Sequence, residues 1–167
     1  MDIKTAISKT LVHEGGFQAN PNDRANWSSG KIGEGELIGT KYGITALDMP
    51  GVSIKDLTED QAIAYYQEHY VKALYAQIES QFVGEKLFDL GVLFGVRVAV
   101  GVMQAALGIT TDGAFGPNTL AAINQTEPAS LYNAYKAAMV THAINVANAN
   151  PPEREFLGGW IHRINAQ

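Results

Sequence analysis

The chain has 167 residues, of which 46% are hydrophobic and 17% are charged, and its formal net charge is −5. This length and apolar content predict one domain, or two small lobes that share a core, and exclude a disordered chain. The acidic balance argues against a nucleic-acid-binding protein, because such proteins need clustered lysine and arginine to neutralise phosphates. The absence of cysteine excludes disulfides, thiolate metal sites and a cysteine nucleophile.

The chain begins with a predicted amphipathic helix that is followed by a polar loop. Apolar residues from Ile3 to Leu11 recur at three- and four-residue spacing, which predicts a helix over residues 2–14. Two glycines follow directly and supply the stop signal. Residues 17–39 are rich in Asn, Asp, Ser and Gly, a composition typical of loops, short strands or a small irregular hairpin.

The middle of the chain contains a capping signal and a long apolar stretch. Thr58 and Gln61 have the spacing of a capping box, which predicts a helix that runs to about Lys72. The stretch from Leu87 to Leu107 predicts a single central helix. It is long enough to span a bilayer, but its charged and amide side chains are costly in hydrocarbon. We therefore expect a buried helix of a soluble protein, without stable membrane insertion.

The last third of the chain is also predicted to be helical. Residues 110–117 form a turn-rich connector, after which Asn118 is expected to cap a short helix that ends near Ile123. A longer helix is predicted from Pro128 to about Asn148, and a final short helix follows a Pro-Pro break. The expected fold class is mainly α, with a small β or loop region near the N-terminus.

Glu14 is the first candidate for chemistry. At about 100° per residue it lies in the apolar stripe of the first helix, where a carboxylate is costly unless it is paired or protonated. The negative end of the helix dipole also disfavours the charged form. Both effects favour the protonated form that a general acid needs, and Gly15-Gly16 leaves room for a ligand beside it. The alternative is a glutamate at a helix end that points into water.

A second set of polar candidates follows in the loop. Asp23 lies nine positions after Glu14, and a second carboxylate at a cleft holds or deprotonates a water, or stabilises positive charge on a sugar ring. The alternative is that Asp23 only caps a turn. The hydroxyls of Thr40 and Tyr42 can position water or a sugar, although an edge strand is equally consistent with their pattern. Trp27 can stack on a sugar ring.

Other kinds of site leave no pattern in this sequence. The four histidines are scattered and lack the spacing of metal ligands. No serine lies in a nucleophile elbow, and no glycine-rich loop has a phosphate-binding form. We therefore expect neither a metal nor an organic cofactor.

Two groups of motifs resemble a known family. The first group is His13-Glu14-Gly15-Gly16-Phe17, Asn20-Pro21-Asn22-Asp23 and Gly39-Thr40-Lys41-Tyr42-Gly43-Ile44-Thr45. It resembles the signature of glycoside hydrolase family 108, whose members are phage endolysins and related bacterial N-acetylmuramidases. The second group is Leu87-Phe88-Asp89-Leu90-Gly91 and Asp112-Gly113-Ala114-Phe115-Gly116-Pro117-Asn118-Thr119-Leu120. It resembles the predicted peptidoglycan-binding region of the same family.

The resemblance implies a lysozyme-like, two-lobed helical fold. It implies a catalytic lobe over residues 1–84 and a helical lobe over residues 85–167, packed as one globular unit. Glu14 would be the catalytic acid, and Asp23 with Thr40 would hold the attacking water or stabilise an oxocarbenium-like state. The expected substrate-binding residues are Gly15, Gly16, Trp27 and Tyr42.

The chain departs from the family pattern between Asp23 and Thr40. Family members commonly have only a few residues at this place, whereas this chain inserts residues 24–39. The insertion makes Glu34 or Glu36 an alternative second acidic group.

The resemblance also implies an activity and a setting. The expected protein is an endolysin that hydrolyses the β-1,4 bond between N-acetylmuramic acid and N-acetylglucosamine in peptidoglycan, for host cell lysis. The alternatives are a lytic transglycosylase acting on the same bond and a non-catalytic peptidoglycan-binding module. The expected partners are glycan strands and not nucleic acid, and the protein is expected to be a monomer. The first residues lack the apolar core of a signal peptide, so we expect synthesis in the host cytoplasm and periplasmic action after release through a holin-like pore.

Overall fold

A computed structural model describes residues 1–166 of the chain. Its helices are α1 (Ile3–Glu14), α2 (Glu59–Tyr70), α3 (Gln81–Phe94), α4 (Val96–Ala106), α5 (Pro117–Gln125), α6 (Pro128–Ala149) and α7 (Leu157–Asn165). Two short antiparallel strands, β1 (Thr40–Lys41) and β2 (Ile44–Thr45), form the sheet, and short 3-10 helices lie at Arg24–Asn26, Tyr75–Gln77 and Pro151–Phe156. The predicted mainly α class, with a small β region near the N-terminus, is confirmed.

Residue contacts group the chain into two compact units. One unit comprises residues 7–69, and the other comprises residues 1–6 together with the chain from residue 70 onward. The first unit contains the β-hairpin and the loop that precedes it, whereas α3 to α7 belong to the second. The division at residue 84, which the resemblance implies, stays a prediction; residue 84 itself lies within α3.

The helices near the N-terminus begin and end close to the predicted positions. Ile7 and Leu11 of α1 are buried, as the apolar spacing indicates. The capping box that precedes α2 is formed: the Thr58 amide donates to Gln61 Oε1 at 2.9 Å, and the Gln61 amide donates to Thr58 Oγ1 at 3.3 Å. These reciprocal bonds satisfy two amides that the helix itself leaves without a partner.

The prediction of one central helix over residues 87–107 is wrong. Two helices, α3 and α4, occupy this stretch, and Gly95 separates them. The backbone of Gly95 has φ 89° and ψ 140°, a conformation open to glycine and costly for other residues. Among the described residues, no helix is long and apolar enough to cross a membrane.

The start of α5 also differs from the prediction. Asn118 was expected to cap this helix, but α5 begins at Pro117, and Gly116 occupies the N-cap position. Proline suits the first position of a helix, because its φ is fixed near the helical value and its missing N–H costs nothing there. The prediction for α6 holds closely, and the Glu127 carboxylate caps this helix by accepting from the amides of Ala129 and Ser130.

A buried ionic cluster ties α3 to the end of α7. Asp89 on α3 accepts hydrogen bonds from Nε and Nη2 of Arg163, at 3.1 and 2.9 Å. Lys86 Nζ lies 3.8 Å from the second Asp89 oxygen and donates to the carbonyls of Arg163 and Ala166, at 3.2 and 2.8 Å. Those carbonyls lie at the C-terminal end of α7, where a helix leaves its acceptors unsatisfied. Burial lowers the pKa of Lys86, and the Asp89 charge opposes this shift.

Candidate active site

The hairpin formed by β1 and β2 has a tight turn of two residues. The pairing of Lys41 with Ile44 leaves Tyr42 and Gly43 as the connection. Both residues have positive φ, at 53° and 71°, which defines a type I′ turn and matches the right-handed twist of the two strands. Tyr42 is the one non-glycine residue with positive φ among the described residues. The hairpin also joins the end of α1, because the Tyr42 amide donates to the Gly15 carbonyl at 3.2 Å.

The turn lies directly against the Glu14 carboxylate. A Cβ atom added to Gly43 would lie 2.8 Å from Glu14 Oε2 and 2.9 Å from the Tyr66 hydroxyl oxygen. Glu14 is the last residue of α1, and its Oε1 atom is buried. The carboxyl group predicted to be the acid therefore lies in a confined space between the hairpin turn and Tyr66.

Tyr66 is the residue of this site that the sequence did not reveal. Its position one turn after Ala62 and Ile63 on α2 indicates a core residue, and its side chain is buried. The structure adds that its hydroxyl donates to the Tyr42 carbonyl at 2.8 Å. This bond fixes the hairpin turn to α2, and only the tertiary structure could show which carbonyl the hydroxyl reaches.

Asp23 and Thr40 belong to one chain of hydrogen bonds that passes through Gln18 and Asn26. Asp23 Oδ2 accepts from Gln18 Nε2 at 3.2 Å, and Gln18 Oε1 accepts from Asn26 Nδ2 at 2.8 Å. Asn26 Oδ1 then accepts from the Thr40 hydroxyl at 2.7 Å. The buried Asn26 amide nitrogen also donates to the carbonyl of Asn20, so its oxygen must face Thr40. The hydroxyl of Thr40 is consequently left with lone pairs that can accept a hydrogen from water.

Asp23 also has the turn-capping contact that the sequence offered as the alternative. It is the N-cap of the 3-10 helix Arg24–Asn26, and its Oδ1 accepts from the Ala25 amide at 2.9 Å. Both carboxylate oxygens therefore accept hydrogen bonds from the loop. This arrangement fixes the orientation of the carboxylate.

The remaining candidates lie in or beside the inserted loop. The Trp27 indole is half-buried and donates its N–H to the Pro21 carbonyl at 2.9 Å. Glu34 is exposed and forms an ion pair of 3.4 Å with Lys31. Gly15 and Gly16 have open space where a Cβ would stand, which fits the expectation of room beside Glu14. Among residues 1–166, no three His, Asp or Glu side chains are grouped in a way that could hold a metal ion.

The motif at 112–120 has a structural role in the second unit. Buried Gln104 donates from Nε2 to Asp112 Oδ1 at 2.8 Å and to Thr119 Oγ1 at 3.0 Å. Its Oε1 accepts from the Gly113 amide at 2.9 Å. One side chain of α4 thus holds the loop that precedes α5, which explains why aspartate, glycine and threonine occur at these spacings.

Comparison with known proteins places these two regions in known families. The family model described as "Glycosyl hydrolase 108" matches residues 7–95, and the model described as "Predicted Peptidoglycan domain" matches residues 98–165. A solved structure titled "Structure of Brucella abortus SagA" has a similar fold, with a TM-score of 0.67 at 22% identity, and the match covers 97% of this chain and 88% of that one. No curated protein shows significant similarity to the chain.

These matches define the class of protein. The lysozyme-like helical fold expected from the motifs is confirmed. The chain is a glycoside hydrolase that acts on peptidoglycan. More particularly, it belongs to glycosyl hydrolase family 108.

Proposed function

We propose that the protein hydrolyses the β-1,4 bond between N-acetylmuramic acid and N-acetylglucosamine, with Glu14 as the general acid. The position of the Glu14 carboxyl carries this proposal, since one of its oxygens is buried and the other lies against the Gly43 turn. This confined carboxyl group, with open space beside it at Gly15 and Gly16, is placed to deliver a proton to a leaving glycosidic oxygen.

Asp23 and Thr40 have the supporting roles in this proposal. Thr40 gives its hydrogen to Asn26, so its oxygen would accept a hydrogen from the attacking water. Asp23 is held in one orientation by Gln18 and by the Ala25 amide, and its negative charge would stabilise positive charge on the sugar ring. Tyr42, Trp27, Gly15 and Gly16 are proposed to contact the substrate.

The substitution Glu14→Gln tests the assignment of the acid. It keeps nearly the same shape and removes the transferable proton, so clearing of purified peptidoglycan should slow by about 100- to 10,000-fold. Binding of the variant to insoluble peptidoglycan should persist. The matched control is Glu59→Gln, which makes the same change at an exposed position on α2 and should clear at the wild-type rate. A Glu14→Gln protein that clears within tenfold of wild type would contradict the proposal.

A lytic transglycosylase is the second candidate, and the contacts of Asp23 favour it. Both carboxylate oxygens of Asp23 are occupied by donors within its own loop, as expected of a residue that only caps a turn. Such an enzyme needs one acidic residue and forms an anhydro sugar without adding water. Mass spectrometry of the digest distinguishes the two reactions, because their muramic acid products differ by one water molecule.

We further propose that the enzyme acts as an endolysin in the periplasm, as a monomer that leaves the host cytoplasm through a holin-like pore. The resemblance of its motifs to phage endolysins supports this role. Residues 153–167 contain two glutamates and two arginines. This segment is therefore not a basic amphipathic helix able to disrupt an anionic outer membrane. Added protein should lyse permeabilised cells far better than intact cells, and equal lysis of both would contradict the proposal.

A further inference from the structure

A cleft of about 320 Å³ lies within the second unit, and all of its lining residues except Arg97 belong to the part that matches the peptidoglycan domain. Its walls include Arg97 and Val98 of α4, Asp112 and Gly113 of the loop before α5, and His142 of α6. The volume is at the lower end of the range that small-molecule sites occupy, which suits one amino-acid side chain.

The cleft contains two opposite charges that do not neutralise each other by contact. Arg97 and Asp112 both line it, yet among the described residues neither forms an ion pair with the other. Asp112 Oδ1 accepts from the Ala114 amide and from Gln104 Nε2, each at 2.8 Å. These bonds hold the pKa of Asp112 below its ordinary value, the Ala114 amide contributing most, so the carboxylate is charged at neutral pH.

The stem of Arg97 lies against the backbone of Gly113. A Cβ atom at Gly113, whose φ is +70°, would lie 2.6 Å from Arg97 Cγ and 2.8 Å from the Arg97 carbonyl oxygen. The guanidinium group has no hydrogen-bond partner among residues 1–166. Arg97 also lies in the first turn of α4, where the helix dipole favours an anion.

The third wall of the cleft, to which His142 of α6 contributes, has no charge at neutral pH. Burial lowers the pKa of His142, so its ring is neutral near pH 7. The ring packs edge-on against Phe94, with the two centroids 5.7 Å apart. At neutral pH the charges of the cleft are therefore the guanidinium of Arg97 and the carboxylate of Asp112.

We propose that this cleft binds a zwitterionic amino-acid group of a peptidoglycan stem peptide, with the carboxylate at Arg97 and the ammonium at Asp112. The free end of a diamino-dicarboxylic acid residue carries both groups on one carbon. The inference rests on the proposed function, cleavage of the glycan strand, and it adds recognition of the stem peptide to that cleavage. It assigns to the cleft a preference for stem peptides that contain diaminopimelate over those that contain lysine.

Three synthetic peptides test the proposal without any change to the protein. The first is N-acetyl-L-Ala-γ-D-Glu-meso-diaminopimelate, the second has lysine in the last position, and the third has the distal ammonium of diaminopimelate acetylated. Titration calorimetry with the full chain should give the tightest binding for the first, with the other two at least tenfold weaker. Equal binding of all three peptides, or no binding of the first, would overturn the proposal.

Two variants assign each charge to its partner. Arg97→Gln should weaken binding of the zwitterionic peptide to the level of the lysine peptide and change binding of the lysine peptide little. Asp112→Asn keeps Oδ1 as an acceptor for Gln104 and the Ala114 amide, and it should remove the preference for the free ammonium. Lys72→Gln is the control, since it removes one exposed positive charge from the same unit outside the cleft.

The binding measurements stand apart from the catalytic proposal. None of the peptides contains a glycosidic bond, so a failure of Glu14 as the acid would appear in the clearing assay and not in these titrations. Thermal unfolding checks that each variant is folded. Wild-type affinity of both folded variants for the zwitterionic peptide would refute the assignment of the two charges.

Discussion

Gly43 occupies the second position of the hairpin turn that lies against Glu14. Substitution by alanine has two costs there. The left-handed conformation, at φ +71°, costs a residue with a Cβ about 1 kcal/mol, and the new Cβ would overlap both the Glu14 carboxylate and the Tyr66 hydroxyl. We expect Gly43→Ala to reduce peptidoglycan clearing by at least tenfold, because about 1 Å of displacement at a catalytic group has an effect of this order or larger.

Gly51→Ala is the matched control for this prediction. Gly51 has a similar φ of +82°, but a Cβ at this position would meet nothing within 4 Å. It therefore has the same backbone cost without the contact at Glu14. Both variants should lose stability in urea unfolding through the backbone cost, and Gly43→Ala should lose more because of its overlap with Glu14 and Tyr66, whereas only Gly43→Ala should lose activity. Equal activity of the two variants would show that the turn does not position the carboxyl group.

At the scale of elements, the break between α3 and α4 depends on the conformation of one residue. A Cβ at Gly95 would meet nothing within 4 Å, so the cost of Gly95→Ala comes from the backbone alone. With φ at 89° and ψ at 140°, we expect this variant to lower the free energy of unfolding by about 1–3 kcal/mol. Urea unfolding monitored by circular dichroism measures the change.

Gly158→Ala provides the contrast within a regular helix. Gly158 lies in α7, and a Cβ there also meets nothing within 4 Å. Alanine is favoured over glycine in a helix by about 0.5–1 kcal/mol, so this variant should be more stable than wild type. Stabilisation by both substitutions would mean that residues 81–106 form one continuous helix after all.

At the scale of the whole molecule, the last helix is attached through the buried cluster around Asp89. Arg163→Met removes the donor of two hydrogen bonds to Asp89 and leaves that carboxylate buried beside Lys86. Loss of one partner from a buried ion pair typically costs about 3 kcal/mol or more. We expect a correspondingly lower midpoint in thermal unfolding.

Arg154→Met is the control for the cluster. This substitution removes an exposed arginine of the 3-10 helix Pro151–Phe156, which donates one long hydrogen bond of 3.3 Å to the Ala147 carbonyl. Its unfolding midpoint should stay close to that of wild type. A loss at Arg154 as large as that at Arg163 would indicate general sensitivity of the C-terminal segment instead of a specific buried pair.

The sequence by itself determined the features that depend on neighbouring residues. The apolar spacing predicted α1, the pair Thr58 and Gln61 predicted the start of α2, and Pro128 predicted the start of α6. Capping, helical periodicity and proline geometry act within a few residues, so a linear pattern contains them. The same local reasoning singled out Glu14, because a carboxylate in an apolar stripe is visible without knowledge of what packs against it.

Only the tertiary structure decided what surrounds that carboxylate and which loops are joined. Three features of the site connect residues that lie 5 to 29 positions apart in the sequence, and the fold brings these residues together. They are the approach of Gly43 to Glu14, the hydrogen bond from Tyr66 to Tyr42 and the series of hydrogen bonds between Asp23 and Thr40. Gly95 shows that a local pattern can also be ambiguous. A glycine inside an apolar run is compatible with a continuous helix or with a break, and the structure shows the break. Side-chain hydrogen bonds and positive φ values are selected by the packing of the whole chain, and no local spacing specifies their partners.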